Sequence, residues 1–222
     1  MKFKSTVLAT AVLSALCAAS LSVGAQTIRI ANQGDALSLD PHSLNESLQL
    51  STTANVYETL TGRNKDLSLA PLLATSWKQV SPSVWRFELR KGVQFHDGTP
   101  FTADDVLFSL ARAGGDGSDM KSNTNDIKEV RKVNDFTIDI ETKAPFPVLP
   151  DVLSTVMIMS KKWCIENNAE KPVDRRKGIE NTASFKANGT GPTACASASP
   201  MCARRSPAAE TTGARSKATC RK

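Results

Sequence analysis

The chain has 222 residues, 40% of them hydrophobic and 23% charged. That length gives room for one domain, or one and a half, with a sizeable core, and that composition excludes general disorder, collagen and a coiled coil. The formal charge of +6 suggests nucleic acid only until it is partitioned: residues 26–192 carry 20 basic and 21 acidic side chains, and the excess lies at the two ends.

Lys2 and Lys4 precede an apolar stretch from Val7 to Leu21 interrupted only by Thr10, Ser14 and Ser20, and Val23-Gly24-Ala25 follows. A basic start, an apolar run of this length and small residues at the two cleavage positions predict a Sec-type export signal over 1–25, cut before Gln26. Leu16 before Cys17 is too large for a lipobox. No later stretch approaches the length that a membrane-spanning helix needs. Export places the mature chain in an oxidising compartment, where Cys164, Cys195, Cys202 and Cys220 could form bridges. Their pairing is left open, and Cys164, the one cysteine of the body, reads as a buried small hydrophobe.

Thr27 to Ala31 alternates like a strand, and Asn32 to Asp35 supplies loop chemistry. Leu48, Leu50, Val56, Tyr57 and Leu60 predict a helix over 47–60, weakened by Thr52-Thr53. Ala74 to Val80 and Val84 to Arg90 predict a hairpin through Ser81-Pro82-Ser83, with Trp85, Phe87 and Leu89 on one face and Arg86, Glu88 and Arg90 on the other. His96 to Pro100 is a turn. Thr102 with Asp105 makes a capping box for a helix whose apolar face is Val106, Leu107, Leu110 and Ala111, ended by Ala113-Gly114-Gly115. A second hairpin pairs 129–133 with 136–141 around Asn134-Asp135, and Pro145, Pro147 and Pro150 precede a helix placed at 152–156. Residues 193–222 contain no Val, Ile, Leu, Phe, Tyr or Trp. Such a tail cannot offset its ordering entropy, and its scattered Ala, Arg, Ser, Thr and Pro are what GC-rich DNA encodes out of frame. The expected organisation is a signal peptide over 1–25, a body over 26–192 and a frameshifted tail over 193–222.

Five blocks carry a specific likeness: Ser38-Leu39-Asp40-Pro41-His42; Leu69 to Trp77; Trp85 to Gly98; Thr99 to Val106 with Phe108 to Arg112; and Asn188-Gly189-Thr190-Gly191-Pro192. In this order they closely resemble the extracytoplasmic solute-binding proteins of family 5, the dipeptide-, oligopeptide- and nickel-binding subunits of ABC importers. The resemblance implies an α/β (mixed α+β) fold, periplasmic-binding-protein-like of type II, here limited to part of the first lobe with its inserted subdomain. It also implies capture of a peptide or similar small solute between two lobes that close by a hinge, delivery to permease subunits in the inner membrane, a periplasmic location and a monomer. Neither nucleic acid nor a cofactor is expected as a partner. Members continue well past the NGTGP block, so this chain is expected to lack the opposite wall of the cleft and neither to close nor to bind tightly. The loop Gly34, Asp35, Ala36 and Leu37 faces the cleft in relatives, and Asp35 stands where an acidic residue meets the ligand in oligopeptide binders.

Two rival readings come from the residues themselves. A secreted metal-dependent hydrolase would use His96, Asp97, Asp104 and Asp105. However, the chain has only two histidines, His42 and His96, and adjacent helical carboxylates project about 100° apart. A small secreted interaction protein would use the basic tail. The expectation is no catalytic residue and no metal site, with Asp97-Gly98 making a tight turn, Asp104 and Asp105 favouring the helix N-terminus, and Asp40-Pro41-His42 serving structure.

Overall fold

Two hairpins with period-two patterning lie side by side in the computed structural model, which describes residues 37–194. The first joins β3 (Ala74–Ser81) to β4 (Val84–Leu89), and the second joins β5 (Ile127–Asn134) to β6 (Thr137–Thr142). Antiparallel pairing of β4 with β6 makes one four-stranded sheet of order β3-β4-β6-β5. Its register sets Phe87 opposite Ile138 and Trp85 opposite Ile140 on one face, and Arg86 opposite Asp139 on the other. The predicted alternation is therefore observed: Phe87 and Leu89 are buried and Glu88 is exposed. On the wet face Arg86 grips Asp139 through two bonds of 2.7 and 2.8 Å, and the Thr137 hydroxyl donates to Glu88 at 2.7 Å. A smaller pair, β1 (Thr61–Arg63) with β2 (Leu69–Pro71), precedes this sheet.

The dry face is covered by the helix that the capping box announces. Helix α2 (Ala103–Ala113) starts where the Thr102 N–H donates to Asp105 Oδ2 at 2.9 Å. Val106 and Leu110 join Phe87, Leu89, Phe101, Ile138, Ile140, Leu149 and Leu153 in one buried cluster. A second cluster gathers Val56, Tyr57, Met157, Met159, Cys164 and Ala183 around the far side of the same helix. Cys164 is buried there, and burial pushes its thiol up to about 12. It lies on α5 (Lys161–Glu166), which the sequence reading did not include.

Two helices differ from expectation. Helix α1 covers Ser47–Thr53 rather than 47–60. The Thr52 and Thr53 hydroxyls donate back to the carbonyls of Leu48 and Gln49, and Asn55 to that of Ser51; such side-chain bonds compete with helix propagation. Beyond them the Val56 carbonyl accepts from Gly191 N–H at 2.9 Å, and Thr59 bridges to Met157, so the backbone there serves other partners. The helix placed at 152–156 instead occupies Leu149–Val152, here α4. Pro150 falls in its first turn, where the missing N–H has no partner to lose, rather than before it. One further short helix, α3 (Lys121–Thr124), and two 3₁₀ turns, Arg175–Lys177 and Thr182–Ser184, complete the described elements. The strand expected at Thr27–Ala31, the export signal and the tail from residue 195 lie outside the described residues.

Candidate functional site

Of the four residues expected to meet a ligand, Gly34, Asp35 and Ala36 lie outside the described residues, and Leu37 is the first described. Leu37 is 45% exposed, and its carbonyl accepts from Arg175 Nη1 at 2.8 Å. Immediately after it the chain dives inward. Leu39 N–H donates to the Ser184 carbonyl at 3.0 Å, the Gln49 amide donates to the Ser38 carbonyl at 2.6 Å, and Ser38 through Ser43 are buried throughout.

The anchor of this segment is an ion pair with no solvent exposure on either side chain, Asp40 with Arg112 of α2. Arg112 Nη1 and Nη2 donate to Asp40 Oδ1 and Oδ2 at 2.8 and 2.7 Å. Its Nε reaches the Ala169 carbonyl at 3.0 Å, Nη2 the Lys171 carbonyl at 3.0 Å, and Nη1 the ring Nδ1 of His42 at 3.0 Å. All five guanidinium N–H groups are therefore used. Asp40 also accepts the N–H groups of His42 and Val173, each at 3.0 Å. A buried charge pair persists only when satisfied to this degree. Burial opposes ionisation of Asp40, but the adjacent guanidinium outweighs it and holds the carboxyl below its usual range.

Because arginine can only donate, His42 Nδ1 accepts and the ring proton sits on Nε2, which donates to the Met157 carbonyl at 2.9 Å. Burial, reinforced by the Arg112 charge, lowers the His42 pKa from 6.5 to about 4. The unfolded chain thus takes up this proton as pH falls through 6.5, whereas the folded chain refuses it until about 4. The stabilisation is complete above the upper value and is lost progressively down to the lower, on the order of 3 kcal/mol in all. Urea midpoints at pH 7 and pH 5 should show a clear acid loss in the wild type and a smaller one in His42→Gln. Equal losses in both would remove His42 as the cause.

The histidine and carboxylates of the HDG block also hold structure. His96 Nδ1 accepts from Gly189 N–H at 3.3 Å and Nε2 donates to the Gly191 carbonyl at 2.7 Å, which occupies both ring nitrogens. Asp97 and Asn188 bond reciprocally, at 2.8 Å through their side chains and 3.1 Å from Asp97 N–H. Asp97 Oδ1 additionally closes the turn onto Thr99, while Gly98 takes φ +83°. The HDG and NGTGP blocks are the two halves of one clasp. Asp104 pairs with Lys132 at 2.7 Å, whereas the buried Asp105 accepts Lys161 N–H at 2.9 Å, so the two carboxylates serve different partners. Burial raises the Asp105 pKa against those bonds. Among the described residues, no three His, Cys, Asp or Glu side chains converge as a metal would require.

Two recesses lie on the sheet. One of about 620 Å³ is lined by Glu88, Lys91, Asn134 and Phe136, and another of about 470 Å³ by Gln79, Pro82 and Pro147.

The model for the bacterial extracellular solute-binding proteins, family 5 (middle), matches residues 68–200. The chain belongs to that family. It is 35% identical over 112 residues to the glutathione-binding protein GsiB of Pectobacterium atrosepticum and 32% identical over 121 residues to the periplasmic oligopeptide-binding protein OppA of Escherichia coli. These alignments cover 49% and 50% of this chain but 22% of each relative. The crystal structure of NikZ from Campylobacter jejuni in complex with Ni(L-His) superposes with a TM-score of 0.60 at 27% identity, over 75% of this chain and 31% of NikZ. The chain thus spans under a third of the length of these relatives. The expected family, and the mixed α/β fold of a type II periplasmic binding protein, are both observed.

The sequence reading set Asp40-Pro41-His42 apart as structural, which the network bears out, but it missed Arg112 as the partner. Arg112 was legible as the one cation in the last two turns of α2, on the same helix face as Ser109 and Asp105, three and seven residues earlier. A cation that the helix carries inward implies a buried anion elsewhere.

Proposed function

We propose that this chain serves solute capture for an ABC importer in the periplasm, with a peptide or a similar small polar molecule as the solute. The observation that carries the reading is the construction of the segment after Leu37: a half-exposed residue fastened to a fully buried ion pair three residues later. A loop that must present backbone and carboxylate to a small ligand gains from such a rigid base, because ordering it at the moment of binding would cost affinity. The names of the relatives, glutathione-binding and oligopeptide-binding, are consistent with a peptide-like ligand. Asp35 is the group proposed to attract a peptide amine, and the export signal over 1–25 would deliver the protein to the periplasm. No catalytic step is assigned, since His42, His96, Asp97 and Asp105 are each engaged in structural bonds.

Among the described residues Leu37 presents itself to solvent. Trialanine titrated into the 222-residue chain should therefore shift the amide resonances of Leu37 and its neighbours with a Kd of about a millimolar. Shifts confined to other regions, or none at several-fold higher peptide, would overturn the peptide reading.

A further inference from the structure

We propose that Arg112 is a positioning residue for the binding loop: from inside the fold it sets where Leu37, the last residue of that loop, stands. The inference rests on the reading of that loop as the solute-contacting segment. Its evidence is the pattern of Arg112 contacts, which reach two separate stretches of chain at once: Asp40 and His42 on one side, and Ala169 and Lys171 on the other, all from the last two turns of α2. Asp40 passes the constraint on, since its second oxygen holds Val173 N–H and its first holds His42 N–H. The 169–173 stretch leads directly to Arg175, whose guanidinium holds the Leu37 carbonyl and pairs with Glu180 at 3.2 Å. Leu37 is thereby fixed twice, along the chain through Asp40 and across space through Arg175. Both routes begin at Arg112. No contact of Arg112 reaches the exposed side of Leu37, so it acts through these neighbours rather than on a ligand.

Lysine is the discriminating substitution. It keeps a positive charge beside Asp40, but a single ammonium with three donors cannot serve a bidentate carboxylate, an imidazole and two carbonyls together. In Arg112→Lys, without ligand, amide exchange at Leu39, His42 and Val173 should quicken about ten-fold or more beyond any rise at Leu89 and Thr142 in the sheet. Trialanine affinity should fall by a similar factor, because the loop must then be ordered on binding. Unchanged exchange at Leu39 and His42 would overturn the proposal. So would an equal rise in the sheet, or loss of folding, since either would make Arg112 a support of the whole fold rather than of this segment. Wild-type protein that fails to bind trialanine would remove the peptide reading. The ligand-free exchange pattern would still decide whether Arg112 anchors Leu37.

Discussion

Asp40→Ala is expected to destabilise the protein by about 3–5 kcal/mol, the cost of leaving a charge buried without its partner. Arg112 cannot escape by neutralising, because arginine stays protonated and the Asp40 pairing, outweighing its burial, raises its pKa still further. With the carboxylate gone, two of its N–H groups lose their acceptors, and the N–H groups of His42 and Val173 lose theirs. Urea denaturation followed by circular dichroism would read the loss as a drop in midpoint at unchanged slope. The double variant Asp40→Ala/Arg112→Met should recover much of it, because removing both charges also removes their desolvation. A single-variant loss under about 1 kcal/mol would mean that water reaches Arg112, contrary to its full burial.

Gly189→Ala should be comparably severe for a steric reason. A Cβ at this position would stand 2.0 Å from the Val56 carbonyl oxygen and 2.7 Å from its carbon. Those are backbone atoms, which cannot rotate aside, so the 188–191 strap must lift off the Val56 backbone and the HDG turn. Lifting it would break the bonds to His96 and Asp97 and the Gly191 bond to Val56. Overpacking of this kind costs about 3 kcal/mol or more where relaxation is blocked. The expected result is a lowered Tm together with new proteolytic cleavage between 186 and 193. A Tm within a degree or two of wild type would show that the strap is replaceable and that the clasp contributes little.

These effects bear on what the chain's pattern could reveal. Both hairpins, the capping box at Thr102 and Asp105, the glycine end of α2 and the turn at Asp97-Gly98 were legible, because each is decided by residues within a few positions of one another. Period-two alternation places Phe87 and Leu89 inward whichever strand lies alongside. The four-residue α4 and the shortened α1 were not legible in their correct places. Pro150 can either end a loop or open a helix, and the threonines of α1 have both helical and non-helical partners within reach. The ligand loop was read by resemblance, and of its four residues Leu37 alone falls within the described part.

Residues close together along the chain thus settled the family motifs, the strand faces and the helix caps, because their energetics are local. What only the tertiary structure decided is which distant groups share a site: Asp40 with Arg112 across 72 positions, and His96 with Gly191 across 95. The physical reason is that a buried charge or imidazole must find its partner wherever the packed chain brings one. The same side chains could equally have served a metal, a substrate or solvent, and local pattern does not distinguish these. Packing gave His42, His96, Asp97 and Asp105 to the backbone and to side chains such as Arg112 and Asn188, and left Leu37 at the surface.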